Sequence, residues 1–373
     1  MKISSVKSTE ASLAHSTCTA EYFRLRERVE SPSIQQLTSQ FRMLIDMVMG
    51  ESAYYCPYDA AVALKQAEGD CFEAVQILRA HKNTIERRYE SEVLDTRHMF
   101  VERRISSAFR EIPGGQILGP SRDYTQRLLE TEVVGENTET IQEFLNAVRP
   151  EGDVPPHTEL TNLGKVADLL RKEGLMRGVE DDDRTVIDIT RTPVTFPAPR
   201  SARLQMLARA QTGAMLAIGY SGQRGFGGGH GTVGELRVGK APVRIKDSYG
   251  RIRIVGRIRL TEAEMITRIT TKKKDSLPHM AIGYGLCFGQ NETKAISMGG
   301  LDRGMRRGSD EFPCQSQEFL MHHCECDDAW GSVHSLKLPS YAEFESELNL
   351  VRQAMDRLEQ KKTAKDNSST ARS

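Results

Sequence analysis

The sequence predicts an α+β fold: an N-terminal helical bundle, then a mixed region with antiparallel strands, then a long C-terminal helix. Three observations predict it. Apolar residues recur at helical spacing through the first hundred positions, alternate with charged ones at period two between 240 and 260, and return to a helical stripe after 340. At 373 residues the chain is long enough for two domains. Composition divides it into a helical region 1–133, a polar linker 134–157, an α+β region 158–361 that handles the ligand, and a disordered polar tail 362–373.

The first predicted helix follows Ser31 and Pro32, carries Ile34, Leu37, Phe41, Leu44, Ile45 and Val48 on one face, and stops at Gly50. A second runs from about Asp59 to Gly69. Asp70 caps a third, with Glu73 in capping-box position and Val75, Leu78 and Ile85 among its apolar residues. The helical pattern is expected to continue over 94–109. Two prolines and three glycines within 112–124 end it. A further helix is expected over 160–174. In the segment 240–260, Val243, Ile245, Ile252, Ile254, Ile258 and Leu260 alternate with charges, as in a half-exposed antiparallel hairpin. Thr261 and Glu264 have capping-box spacing and predict a short helix. Ser340 and Glu343 predict a long one, with Phe344, Leu348, Val351, Met355 and Leu358 as a stripe for its own domain or for a partner helix.

Lysine plus arginine equal aspartate plus glutamate at 51 each, so the whole chain has no bulk attraction for nucleic acid or an anionic membrane, and neither is expected as a partner. No stretch is apolar enough for a membrane span, and the N-terminus lacks a signal-peptide core. Seven scattered cysteines, an odd number, read as reduced thiols. A cytoplasmic chain is expected.

The densest chemical signal is YSGQRGFGGGHGTVGELR over 220–237, where seven glycines surround Gln223, Arg224 and His230. Glycines such as Gly225 and Gly227 let backbone N–H groups approach an anion, and an arginine grips phosphate oxygens in a fork. A phosphate cradle is expected, with a flexible loop as the plain alternative. The segment is neither a Walker loop nor a dinucleotide fingerprint. Arg191, Arg200 and Arg203 lie upstream. The segment 282–305 reads as strand, turn and helix, with Lys294 and Arg303 near a helix start that suits an anion; Glu292, Lys294 and Asp302 as a solvated face is the alternative. His322, His323, Cys324, Cys326 and His334 are metal-ligand types, but their spacing matches no structural zinc pattern.

Together these segments resemble the PhnI family, the I subunits of the carbon-phosphorus lyase core complex. The resemblance rests on AVALKQAEGD (61–70), ERRISSAF (102–109), IPGGQILGP (112–120), DITRTP (188–193), YSGQRGFG (220–227), GYGLCFG (283–289) and LKLP (336–339), all in one order. It implies a role in alkylphosphonate use alongside G, H, J and L subunits. The implied reaction is displacement of the purine of ATP or GTP by an alkylphosphonate such as methylphosphonate, giving ribose 1-methylphosphonate 5-triphosphate. It also implies purine nucleosidase activity for the isolated chain.

That chemistry needs donors for the triphosphate, an acid for the departing purine, and support for an oxocarbenium-like state. For the acid and the stabiliser the expected residues are Asp188 and Glu235, with His230 as a rival acid. Arg191, Arg203, Gln223, Arg224, Gly225, Gly227 and Lys294 are expected to hold substrate. No tightly bound cofactor is expected, and magnesium would arrive with the nucleotide. The resemblance also implies a zinc-binding histidine pair around LKLP, but Ser335 and Ser340 stand there and His334 is offset by one. Either Cys324, Cys326 and His323 substitute, or the chain works without that metal. The alternative to an enzyme is a scaffold subunit of the same complex.

Overall fold

The computed structural model describes residues 10–122, 127–148, 163–176, 186–225, 230–269, 279–309, 311–326 and 342–370. Residues 1–31 with 330–373 form one compact unit and 32–329 a second. The first holds α1 (Glu10–Leu25), which buries none of its residues.

The second unit begins with α2 (Ile34–Gln40) and α3 (Arg42–Ser52), where one helix was expected. Phe41 leaves helical geometry at φ −103°, ψ 37°, and breaks it. Ser33 and Gln36 close a capping box on α2. Then follow α4 (Pro57–Gln66) and α5 (Cys71–Lys82), whose cap Asp70 accepts from the N–H groups of Phe72 and Glu73 as the sequence predicts.

The helix expected over 94–109 is instead a single 3-10 turn and the strand β1 (Phe100–Ile105). Arg103 and Arg104 fall on this strand and both are buried, held by Glu292 and Glu235. Within the expected linker lies α6 (Thr138–Ala147); residues 149–157 fall outside those described. Next come α7 (Val166–Lys172), α8 (Arg200–Arg209) and α9 (Thr212–Gln223).

Three long strands follow, β2 (Thr232–Lys246), β3 (Ile252–Ile269) and β4 (His279–Phe288), and with β1 they form one antiparallel sheet in the order β1-β2-β3-β4. The hairpin read from 240–260 is present as the β2–β3 pair. It is longer than expected, because β3 runs straight through the capping box expected at Thr261 and Glu264. The chain continues into α10 (Glu292–Arg307) and α11 (Gln317–Cys324). The first unit closes with α12 (Ala342–Thr370), which extends past residue 361, where order was expected to end. The α+β class is therefore the one observed.

The two faces of the sheet differ, and the difference places the site. One face packs on α10 through Leu236, Ala263 and Cys287 against Ala295. Glycines make this approach possible: a Cβ on Gly283 would meet the carbonyl oxygen of Gly299, and one on Gly285 that of Ala295. Below α10 a second cluster, including Leu207, Met215, Met298, Leu301 and Leu320, joins α8, α9 and α11. The opposite face is apolar at both ends. Ile266 and Ile282 meet Val166, Ala167 and Leu170 of α7, while Leu260 packs with Met99, Val101 and Ala241. Between them lies a band of charge.

Candidate active site

Strand register builds that band. Glu235 of β2 stands opposite Glu264 of β3, which stands opposite Tyr284 of β4; two residues along, Arg104 of β1, Arg237 of β2 and Glu262 of β3 form the next row. Side chains opposite one another share a face, so three carboxylates, two arginines and a tyrosine project from the middle of one surface. Charge inside a protein is tolerated only when paired.

The pairing here is specific. Arg104 donates to Glu235 at 2.6 Å, and the second oxygen of Glu235 accepts from the Val166 N–H at the start of α7 at 2.9 Å. Glu262 accepts from Lys165 Nζ at 2.6 Å, the Thr96 hydroxyl at 2.7 Å and the Tyr284 hydroxyl at 2.8 Å, with Arg237 3.8 Å away. Burial alone would raise the Glu262 carboxyl, but Lys165 and Arg237 overturn that and hold it below its usual value.

Glu264 has the opposite balance. Its nearest cation is Lys165 at 3.4 Å, and Oε2 is buried with no hydrogen-bond partner among the described residues. Burial raises its carboxyl to about 7, with Glu262 and Glu235 adding repulsion against the partial relief from Lys165. Two carboxylates two residues apart on one strand are thus driven apart, one fixed as an anion and one titrating near neutrality. Such a division equips a site to move a proton at working pH.

Glu264 lines a cleft with Lys165, Ile282 and Tyr284, whose lining also includes Arg97, Asp168, Arg171 and Arg200. Arg200 is tied to Asp302 at 2.8 Å, whose carboxylate also accepts from the Tyr284 N–H. Arg171 is partnered by Asp168 at 2.7 Å. A poised acid beneath a rim of guanidiniums suits a substrate whose reacting end needs a proton and whose other end is anionic.

Most of the residues singled out from sequence are not brought together, although Arg191 Nε lies 3.8 Å from the Asp188 carboxylate. Asp188 lies at the surface, where Thr190, Arg87 at 2.7 Å and the Thr190 N–H hold it well below the usual carboxylate range, so it has no proton to give near neutrality. Arg191 is exposed beside Glu90. His230 is exposed. Glu235 does reach the site wall, but as the buried partner of Arg104. Arg203 is buried on α8. Lys294 is fully buried, donates to the Ala210 carbonyl at 2.8 Å, and is pushed below its ordinary value by burial.

Gln223 and Arg224 close the last turn of α9, and the Arg224 N–H is bonded back to the Tyr220 and Ser221 carbonyls. A helix C-terminus presents carbonyls and negative partial charge, the reverse of what a phosphate needs. Gly225 follows with φ +104°, while Gly227 lies outside the described residues.

Burial pushes the Cys324 and Cys326 thiols up to about 12, and His323 Nδ1 contacts the Phe319 carbonyl oxygen. Among the described residues no three His, Cys, Asp or Glu side chains are grouped to hold a metal. Ser335, Ser340 and His334 lie outside the described residues. No described helix is long and apolar enough to cross a membrane.

The site residues that sequence reasoning missed are Glu262, Glu264, Lys165 and Tyr284. A signal for two of them existed. Read at period two, β3 gives Ile258, Leu260, Glu262, Glu264 and Ile266 on one face, two carboxylates set inside an apolar row.

Comparison with known proteins adds a family. The family described as bacterial phosphonate metabolism protein (PhnI) matches residues 3–358. The chain is 39% identical over 357 residues to the Rhizobium meliloti (strain 1021) protein named alpha-D-ribose 1-methylphosphonate 5-triphosphate synthase subunit PhnI, covering 93% of each chain. It is 39% identical over 327 residues to the Escherichia coli (strain K12) protein of the same name, covering 86% of this chain and 88% of that one.

Proposed function

Because the chain belongs to the PhnI family, we propose that it is a subunit of a carbon-phosphorus lyase system and displaces the purine of ATP or GTP with an alkylphosphonate. The product is ribose 1-methylphosphonate 5-triphosphate when methylphosphonate is the nucleophile, and the chain acts in the cytoplasm with G, H, J and L subunits. One observation carries the reading: the buried Glu264 carboxyl, titrating near 7, lines a cleft rimmed by Arg97, Arg171 and Arg200.

A phosphonate oxygen attacks the anomeric carbon as the bond from that carbon to the purine nitrogen breaks. The electron pair leaves with the base, and the Glu264 carboxyl supplies the proton, becoming a carboxylate. The relatives' printed name specifies an alpha product, whereas ATP is a β-nucleotide, so attack comes from the face opposite the base and inverts the centre. A single displacement needs no covalent bond to the protein. Lys165, itself anchored by Glu262, holds the acid in place and shares in the change of charge, while the rim arginines hold the triphosphate and the phosphonate. Magnesium travels with the triphosphate. In the isolated chain water replaces the phosphonate, which gives nucleosidase activity.

The test is phosphorus NMR of ATP and methylphosphonate incubated with the chain, alone and with its partner subunits, while released base is followed by chromatography. A new phosphonate ester signal matched mole for mole by adenine supports the proposal. Adenine without the ester restricts the chain to nucleosidase chemistry, and no change in either mixture leaves a scaffold role.

A further inference from the structure

The hairpin of β2 and β3 outruns its sheet. Pairing of β1 to β2 ends at Lys240 and pairing of β4 to β3 ends at Leu260, whereas β2 and β3 stay paired as far as Lys246 and Ile252. The tip is a built turn. The Asp247 carboxylate accepts from the Tyr249 and Arg251 N–H groups at 2.9 Å and from Arg253 Nε at 2.8 Å, and Gly250 takes φ +77°. Such a turn holds the arm in one register.

The two sides of the arm differ. Beside β2, Ser91 bridges to Ile245 and the Glu92 N–H donates to the Arg244 carbonyl at 2.8 Å. Beside β3, no described residue pairs with 252–258 apart from β2 itself, and residues 251–257 are all exposed. Backbone groups face that open side. Arg259 turns its N–H to the Tyr55 hydroxyl at 2.9 Å and its carbonyl to the Gly289 N–H at 2.8 Å, away from β2. Arg257, two residues earlier, faces the same way by strand alternation, and Pro242 opposite it has no N–H to give.

Charge and apolar area gather on the same stretch. Arg244, Lys246, Arg251, Arg253 and Arg257 stand against one acid, Asp247, in a chain whose charges balance overall. Ile252, Ile254 and Val255 are each more than half exposed. Arginines and a bulge, here at Val255, deter an edge from pairing with its own kind. They do not account for three exposed branched apolar side chains, and they do not repel an acidic strand.

We propose that the open edge of β3 over 252–257 takes an added strand from a protein partner, an extended segment in which carboxylates alternate with apolar residues. Backbone hydrogen bonds hold the segment, the arginines pair with its carboxylates, and Ile252 and Ile254 take its apolar side chains. A second copy of the arm would bring arginines beside arginines. Nucleic acid would use the arginines but leave the backbone edge and the isoleucines unmatched. The proposal does not rest on the reading of the Glu264 cleft.

The experiment titrates the full-length chain into two fluorescently labelled peptides of about eight residues, one alternating glutamate with valine and one lysine with valine, and follows amide hydrogen exchange of the complex. The glutamate peptide is expected to bind and to slow exchange over 252–257, and the lysine peptide to stay free. Arg251→Glu with Arg257→Glu is expected to reverse that preference, a gain that misfolding cannot produce. Arg257→Pro removes the outward N–H at an edge position that tolerates proline. It is expected to weaken the glutamate peptide about fivefold more than Arg257→Gln, which removes the charge alone. Failure of the glutamate peptide to bind, equal binding of both peptides, or binding without protection of 252–257 overturns the proposal. So does single-stranded RNA or a phosphatidylserine vesicle binding more tightly than the glutamate peptide through Arg251 and Arg257, which would make the arm a polyanion site. A wild-type dimer in sedimentation that Arg257→Pro dissolves would likewise overturn it, with a second copy as the occupant.

Discussion

Glu264 and Glu262 differ in one local respect, the number of donors each can reach. Glu262 gathers Lys165, Thr96 and Tyr284 within 2.8 Å on one oxygen, whereas Glu264 has Lys165 at 3.4 Å; each keeps a second buried oxygen with no hydrogen-bond partner among the described residues. That difference makes stability depend on pH in a defined direction. The folded Glu264 carboxyl titrates at about 7, above its unfolded value of 4.5, so folding favours its protonated form. The stabilisation is fully present below about pH 4.5 and is lost as pH rises through 7, amounting to about 3 kcal/mol from a shift of this size. Urea unfolding at pH 5 and pH 8.5 should show that loss in the wild type and a flatter dependence in Glu264→Gln; an unchanged slope would assign the titration to another group. The Arg104–Glu235 pair behaves differently, because both partners are buried and bonded to each other. Arg104→Met strands the Glu235 carboxylate and should destabilise the chain by about 3–5 kcal/mol in the same assay.

Elements position these residues through close backbone approach. Gly285→Ala pushes a methyl group into the Ala295 carbonyl across the β4–α10 contact, where neither backbone can give. It should lower stability by about 3 kcal/mol or more, read from the urea midpoint, and a loss under about 1 kcal/mol would mean that the two elements can slide apart. How much was legible in the sequence follows from the same physics. Elements built on ordinary amphipathicity were readable: the cap of α5, the β2–β3 hairpin, and the strand, turn and helix of β4 and α10. Where charge is buried the reading failed. The segment holding Arg103 and Arg104 reads as helix, and the TEAE segment at 261–264 as a capping box, because sequence patterns assign charged residues to solvent unless their partners are known. Those partners, Glu292, Glu235 and Lys165, lie far away in sequence.

At the scale of the whole molecule, the two units divide the surface. The unit of residues 32–329 holds the cleft of Glu264, while α12 in the other presents Phe344, Val351, Met355 and Leu358, each more than half exposed. An apolar stripe on a helix suits a partner helix or groove, as expected for a subunit of an assembly. Val351→Asp with Met355→Asp should therefore leave base release by the isolated chain within about twofold of wild type, and reduce co-purification with partner subunits at least about tenfold. Equal recovery of the partners with the double variant would place the assembly surface elsewhere.

The central claim is that the Glu264 cleft is where the purine leaves. Its most direct test is chromatographic measurement of adenine released from ATP by the purified chain between pH 5.5 and 8.5, for wild type and Glu264→Gln, with Arg224→Ala for comparison. The account predicts release that falls as pH rises through about 7, a loss of about 100-fold or more in Glu264→Gln, and little change in Arg224→Ala. Release by Glu264→Gln at the wild-type rate with the wild-type pH profile would contradict it.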